Sequence, residues 1–342
     1  MTLTNSRASH QVAMAVEDSP GVAETDDVYR ILVEEGSGLI KTDREFDMYK
    51  SSYYNRPTMS IAKAYKGSVD INTWGFYGTN GTGYLLASAL GASTPTTPDG
   101  GTNSRLHTIT FTDTILPSYT IWDTTLNTAQ KMAGCQCNTL AISCPQNGPI
   151  ALSANYLGCA VTTNSDTLNA TYMDEEDITM AISASQNSIT YGVDTSTITD
   201  LTFNIDNGIN QDEGIVQGGK YPATILVGND RKVTGSFDAW DLDGENLLAF
   251  WEGSTSTPTA TTPAERPTYV SLQSTWTGAL IEGSLYNYLD IAVPSIQLTG
   301  VTPSDSDNRL KYTVEWEAVK SSATPITILL QNIETVNYST HA

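Results

Sequence analysis

Apolar and polar residues alternate with period two along most of this chain. His107-Thr108-Ile109-Thr110-Phe111 alternates, as do Leu140-Ala141-Ile142 and residues 150–156. In the second half the same holds for Ser295-Ile296-Gln297-Leu298 and Tyr312-Thr313-Val314-Glu315-Trp316. These runs are filled by Thr, Val, Ile and Tyr, residues that suit a pleated surface with one buried face. Turn signals separate them, among them Pro145-Gln146-Asn147-Gly148 and Pro303-Ser304-Asp305. The pattern predicts a mainly β protein with antiparallel sheets.

Helical signals are few. Residues 83–91 read as a short helix with Gly91 past its end, and residues 243–253 read likewise with Asp243 as N-cap. Both contain Leu-Leu-Ala-x-x-x-Gly. Upstream, Gly67-Ser68-Val69-Asp70 corresponds to Gly235-Ser236-Phe237-Asp238. Downstream, a Ser/Thr/Pro tract follows each helix, at 92–104 and 254–267, and is expected to be flexible. Alternating strands then close each copy, at 150–156 and 310–316. Four features recurring in one order predict a duplication: an N-terminal arm and extended segment over 1–55, then tandem domains over 56–180 and 181–342, each with one flanking helix. Residues 1–27 read as a polar, irregular arm, Tyr29 to Val33 as a strand, and 48–54 as an aromatic loop. The acidic run Asp174-Glu175-Glu176-Asp177 reads as a solvated linker face.

The four cysteines, Cys135, Cys137, Cys144 and Cys159, fall in one short stretch. Such a cluster invites a disulfide or zinc reading, but the Cys-x-Cys spacing departs from the usual zinc pairs. Buried, reduced thiols acting as small hydrophobes are the simpler expectation. Of the three histidines, His10 lies in the arm, His107 in a strand and His341 near the C-terminus, none at metal-ligand spacing. Residues 78–83 are glycine-rich but lack the lysine of a phosphate loop, and read as the turn before the first helix. Counting a calcium loop from Asp241 puts Glu252 twelfth, but Asn246 stands where the sharp turn needs glycine. Helix capping is the better account. No catalytic, cofactor-binding or metal residue is therefore assigned, and no cofactor is expected.

Composition narrows the function. The 342 residues carry 17 Lys plus Arg against 38 Asp plus Glu, a formal charge of −21, with only 16% charged residues. The acidic content is ordinary and the basic content low. That deficit argues against a protein that grips nucleic acid by neutralising phosphates, and against docking on an anionic membrane. The chain has no apolar run of membrane-spanning length. Its start shows no apolar signal core, so synthesis in the cytosol is expected.

Residues 201–209, Leu-Thr-Phe-Asn-Ile-Asp-Asn-Gly-Ile, lead into Gly218-Gly219-Lys220-Tyr221-Pro222-Ala223-Thr224-Ile225 and on through Val233-Thr234-Gly235-Ser236-Phe237-Asp238. This succession resembles the tail tube protein family of long-tailed phages. The passage from Leu106 to Ile121 resembles it in weaker form, and the likeness spans roughly residues 60–340. The family implies packed antiparallel sheets with a short helix. One sheet from each domain joins its neighbours into a barrel around a lumen, usually six domains to a ring, and rings stack into a tube that conducts the genome. The tail implied is sheathless and flexible. With two domains per chain, a homotrimer with pseudo-six-fold symmetry would fill the ring, a hexamer being the other option. The partners implied are the chain itself, other tail proteins at the tube ends, and viral DNA in passing. The arm would order on the next ring. A lumen wall that passes DNA without capturing it is expected to be net acidic and free of Lys or Arg patches. The competing reading is a β-sandwich glycan-binding or adhesin module, using exposed Trp and Tyr.

Overall fold

The structure is a computed structural model that describes residues 11–24, 28–50, 57–78, 81–112, 115–124, 130–163, 181–183, 187–191, 198–215, 221–223, 231–240, 269–306, 309–319 and 324–340. Seventeen strands and one α-helix occupy these residues. The first half holds β1 (Gln11–Val16), β2 (Tyr29–Ile31), β3 (Ile40–Lys50), β4 (Pro57–Trp74), α1 (Thr82–Leu90), β5 (Gly91–Thr96), β6 (Arg105–Phe111), β7 (Tyr119–Thr124), β8 (Gln130–Cys144), β9 (Ala151–Gly158) and β10 (Ala160–Thr163). The second holds β11 (Asn187–Tyr191), β12 (Ile198–Asp206), β13 (Lys232–Trp240), β14 (Val270–Glu282), β15 (Leu285–Ser306), β16 (Arg309–Ala318) and β17 (Thr327–Asn332). All the strand pairings are antiparallel, and the protein is mainly β as the alternation requires.

The widest sheet runs β3–β4–β9–β8–β12–β13–β16–β15. Two further ladders leave it through its longest strands. The proximal part of β8 belongs to β2–β1–β7–β8–β10, and the proximal part of β15 to β11–β14–β15–β17–β6–β5. The pairing order of the first half is thus repeated in the second. β1 takes the place of β11, β3 of β12, β4 of β13, β7 of β14, β8 of β15, β9 of β16, and β10 of β17. Even the irregularities match. β8 slips register against β7 between Tyr119 and Ile121, and β15 slips against β14 between Val270 and Leu272. At the first slip Gly134 has φ 68°, and a Cβ there would sit 2.7 Å from the Cys159 sulfur. At the second stands Pro294, which brings no N–H to the ladder. Two pairings cross between the halves: β8 with β12, and β6 with β17.

One apolar core serves both halves, from Val12 and Met14 through Tyr156 and Phe203 to Trp316 and Leu330. All nine residues of α1 are buried, so the helix has no face left for water. Glycines in the left-handed region bracket it, Gly81 at the N-cap and Gly91 at the C-cap. Its last carbonyls are held by the other half of the chain. Asn207 Nδ2 donates to Ala89 O at 3.0 Å, and Arg231 Nη2 donates to the same oxygen at 3.1 Å. The Arg231 guanidinium also lies 3.7 Å from the centre of the Phe111 ring.

Several expectations need correction. Residues 11–16, read as part of an irregular arm, form β1, buried on both sides. Val12, Met14 and Val16 enter the main core, while Ala13 and Ala15 meet Val28 and Trp122. A strand covered on two faces reads as an apolar run and shows no alternation. Met48 to Lys50 lie in β3 instead of a loop. The tract from Ala92 to Thr96 is strand β5, an edge position that tolerates Pro95. Pro303 to Asp305 lie inside β15, paired with residues 310–312 of β16. The second helix expected at 243–253, the calcium-like run from Asp241, the tract at 254–267, the acidic run at 174–177, His10 and His341 lie outside the described residues.

Candidate functional site

The outer face of the eight-stranded sheet is a broad, ordered polar surface. Pairing puts its residues in register across strands. Asp70 and Asn72 of β4 face Asn155 and Ser153 of β9, and these face Thr139 and Ala141 of β8. The row continues through Asp206 and Asn204 of β12 to Lys232 and Thr234 of β13, then to Glu317 of β16 and Gln297 of β15. The opposite face carries Val69, Ile71, Leu152, Ile142, Phe203 and Val314, all buried. Hydroxyls, amides and carboxylates dominate this outer face. Among the residues whose side chains the structure describes, its acids are Asp43, Asp70, Asp206, Asp238, Glu315 and Glu317, and its bases the fewer Lys41, Lys66, Lys232 and Lys311.

Three of these lysines are neutralised in place. Lys41 Nζ meets Asp70 Oδ2 at 2.5 Å, Lys66 meets Asp212 at 2.6 Å, and Lys311 meets Asp238 at 2.6 Å. Lys232 stands directly opposite Asp206. The two aspartates of the repeated Gly-Ser-x-Asp motif do the same work in each half. Asp70 Oδ1 accepts a hydrogen bond from Asn155 Nδ2 at 2.7 Å, and Asp238 Oδ1 accepts one from Thr313 Oγ1 at 2.7 Å. Asn155 and Thr313 hold equivalent places, each directly opposite its aspartate. The hydrogen bond from Lys41, helped by that from Asn155, holds the Asp70 carboxyl below its usual range. Asp238 pushes the Lys311 ammonium up by the hydrogen bond it accepts.

Elsewhere, buried polar groups fasten the fold. The Glu17 carboxylate, just past β1, accepts from Gly21 N, Ser118 Oγ, Thr120 Oγ1 and Gly134 N at 2.7–2.8 Å. Glu282 Oε1 accepts from the backbone N–H groups of Thr102, Asn103 and Ser104, which lower its pKa and tie the β14–β15 hairpin to the β5–β6 loop. His107 lies in β6 as expected, but it is part of a lid over α1. Its Nε2 donates toward Asn332 Oδ1 at 3.1 Å and Glu334 O at 3.0 Å. Its ring lies 4.4 Å from that of Tyr338, which in turn sits edge-on to Tyr84 of α1 at 5.0 Å. Tyr338 donates to Glu334 Oε2 at 2.6 Å and accepts from Asn332 Nδ2. Burial lowers the His107 pKa, so the ring is neutral here.

The four cysteines are buried free thiols. Burial raises the Cys135 thiol well above its ordinary value, Cys137 to about 12 and Cys159 to about 11. Protonated thiols of this kind are poor nucleophiles. Among the described residues no group of three or more His, Cys, Asp or Glu converges as metal ligands, and no helix is long and apolar enough to cross a membrane. Sequence reasoning noticed the Gly-Ser-x-Asp repeat but missed what its aspartates hold. The available signal was a lysine on a neighbouring strand in each copy, Lys41 of β3 and Lys311 of β16, visible only once the strands are paired.

Residues 8–318 match a family model whose description is phage tail tube protein. No curated protein matches the chain.

Proposed function

The chain belongs to the phage tail tube protein family, a structural component of the virion tail, and on that premise we propose that its eight-stranded sheet is the wall of the tube, with the polar face turned to the lumen. The observation that carries this reading is the face itself: eight strands wide, rich in hydroxyls and amides, with Lys41, Lys66 and Lys311 neutralised by partners on the same surface or beside it and Lys232 placed opposite Asp206. Duplex DNA carries about one negative charge per 1.7 Å of axis, so a wall with uncommitted cations would hold it. Acids in excess, with three of the four lysines occupied by carboxylates, leave the DNA little to grip.

The repeated pairing order supports two tube-like units per chain, meeting between residues 163 and 187, with β1 and β3 integral to the first. Six units to a ring then make the ring a homotrimer with pseudo-six-fold symmetry. The other partners are further rings above and below, tail proteins at the tube ends, and viral DNA in transit. Assembly takes place in the host cytoplasm, and the role is structural, without catalysis. A glycan-binding module is the lesser reading: among the described residues the outer face offers sugars Trp74 alone as an exposed ring, at its rim.

Electron microscopy of the purified protein tests the proposal. Tubes or stacked rings with a central channel, three chains to a ring, are the expected result. A bore lined by uncommitted lysines, or six chains to a ring, would overturn the wall assignment or the stoichiometry respectively. Stable monomers that bind an oligosaccharide would favour the module.

A further inference from the structure

The chain contains one completed junction between its halves and the two separated parts of another. β12 is paired along both edges, with β13 on one side and with β8 on the other. Its counterpart is β3: Thr42 lies opposite Gly67 just as Phe203 lies opposite Gly235. Yet β3 pairs along one edge only, with β4, among the described residues. β8 carries β9 on one edge and β12 on the other. Its counterpart is β15, where Val301 lies opposite Val314 just as Cys137 lies opposite Tyr156. Beyond Ile296, β15 pairs with β16 alone, and the edge on which β8 receives β12 has no strand among the described residues.

We propose that the open edge of β3 docks against the open distal edge of β15 in a second copy, antiparallel and in the register of the internal β8–β12 junction. This rests on the reading of the eight-stranded sheet as the tube wall. The register follows by transfer. Asn204 pairs with Ala141, and Thr202 with Ser143. Asn204 corresponds to Asp43 through their partners Thr234 and Lys66, and Ala141 corresponds to Ser304 through Ser153 and Lys311. Asp43 therefore comes opposite Ser304 of the neighbour, and Lys41 opposite Ser306.

Three properties fit. The junction keeps Lys41, Asp43 and Ser304 on the polar face, so the wall continues without exchanging its inner and outer surfaces. It sets no like charges opposite each other at these pairs. The two edges lie at opposite ends of one sheet, so the contact is head-to-tail, the kind that forms a ring when the rotation between copies closes. Pro303 within the distal edge supplies no N–H where the internal junction has Leu140. A proline is a usual device for keeping an edge strand from pairing indiscriminately.

A double variant, Asp43→Cys with Ser304→Cys, tests the register in assembled protein under mild oxidation. Both positions are exposed, and the four native cysteines are buried. Directly opposite Cβ atoms lie about 4.5–5.5 Å apart, close to disulfide reach. The expected result is conversion of the monomer band into a ladder of covalent oligomers ending in a closed ring, whose size counts the chains. Each single variant, and the shifted pair Asp43→Cys with Thr302→Cys, should stay monomeric under denaturing conditions. Tubes that form but cross-link only in the shifted pair, or not at all, overturn the junction while leaving the tube reading intact. A protein that forms neither rings nor tubes by electron microscopy overturns both.

Discussion

Set side by side, the two halves share their strand order but fill it differently. Around Gly67 the first half places a second glycine, Gly158, directly opposite, and the Met132 side chain lies over both. At the equivalent place Gly235 faces Trp316, whose ring covers the glycine. β8 bends with a glycine in the left-handed region, β15 with a proline. One aspartate is held by an amide and an exposed lysine, the other by a hydroxyl and a half-buried lysine. Pairing order, bulge position and outer-face polarity persist, while the packing solutions have diverged. What both halves preserve is the pairing of the strands and the polar character of the outer face; what varies is how the glycines are covered and which groups hold each aspartate.

The comparison can be broken most severely at β1. Deleting residues 1–25 removes a strand buried on both faces and the Glu17 clamp, and the expected outcome is loss of soluble folded protein, read by circular dichroism. The second half has β11 in that place. A truncation meant to probe stacking by the N-terminal arm should therefore stop at residue 10. Next in size, Trp316→Ala is expected to cost about 3–5 kcal/mol in denaturant unfolding, and Met132→Ala about 2–5 kcal/mol with the lower end expected because Met tolerates repacking. The glycines sharpen this. A Cβ at Gly235 would lie 2.2 Å from the Thr202 carbonyl oxygen, whereas one at Gly158 meets only the Met132 side chain at 2.3 Å. Gly235→Ala should therefore destabilise by about 1–3 kcal/mol and Gly158→Ala by less.

Arg231→Met tests how far the halves depend on each other. It leaves the Ala89, Leu90 and Thr112 carbonyls without this donor, at an expected cost of about 1–3 kcal/mol. His107 makes the lid sensitive to acid. Its folded pKa lies below its ordinary value of 6.5, so the unfolded chain takes up the proton first. Stability contributed by the neutral ring is full above that value and falls as pH drops through it. His107→Gln should flatten the dependence between pH 7 and 5 in thermal melts. Smallest are the face pairs. Lys311–Asp238, with side chains 22% and 20% exposed, should outweigh Lys41–Asp70 at 64% and 47%. Either lysine replaced by Met is expected to cost about 0–1 kcal/mol, shrinking with salt.

Much of this was legible in the sequence. Alternation located β6, β9 and β16, the Leu-Leu-Ala-x-x-x-Gly pattern located α1, and the paired Gly-Ser-x-Asp motifs marked the equivalent strands β4 and β13. Three kinds of feature were not. β1 hides its period because both faces are buried. Pro303 reads as a turn because a sequence does not say which strand edges are open. The β8–β12 and β6–β17 pairings join residues so distant in the chain that no local pattern encodes them. The site suffered the same way, since the lysine–aspartate pairs of the outer face exist only across strands.

The lid on α1 has a bearing on timing. A chain emerges from the ribosome N-terminus first, so the wholly buried, mostly apolar helix appears long before Tyr338, which seats on it, and β6 waits as long for β17. Until then the nascent protein exposes a sticky helix and an unpaired strand, the kind of surface that aggregates in slow, non-local β folds. The distal edge of β15, which the proposed junction uses, is also made late. A chain not yet synthesised past residue 306 lacks one half of that junction, so the order of synthesis itself would keep such half-made subunits from closing a ring.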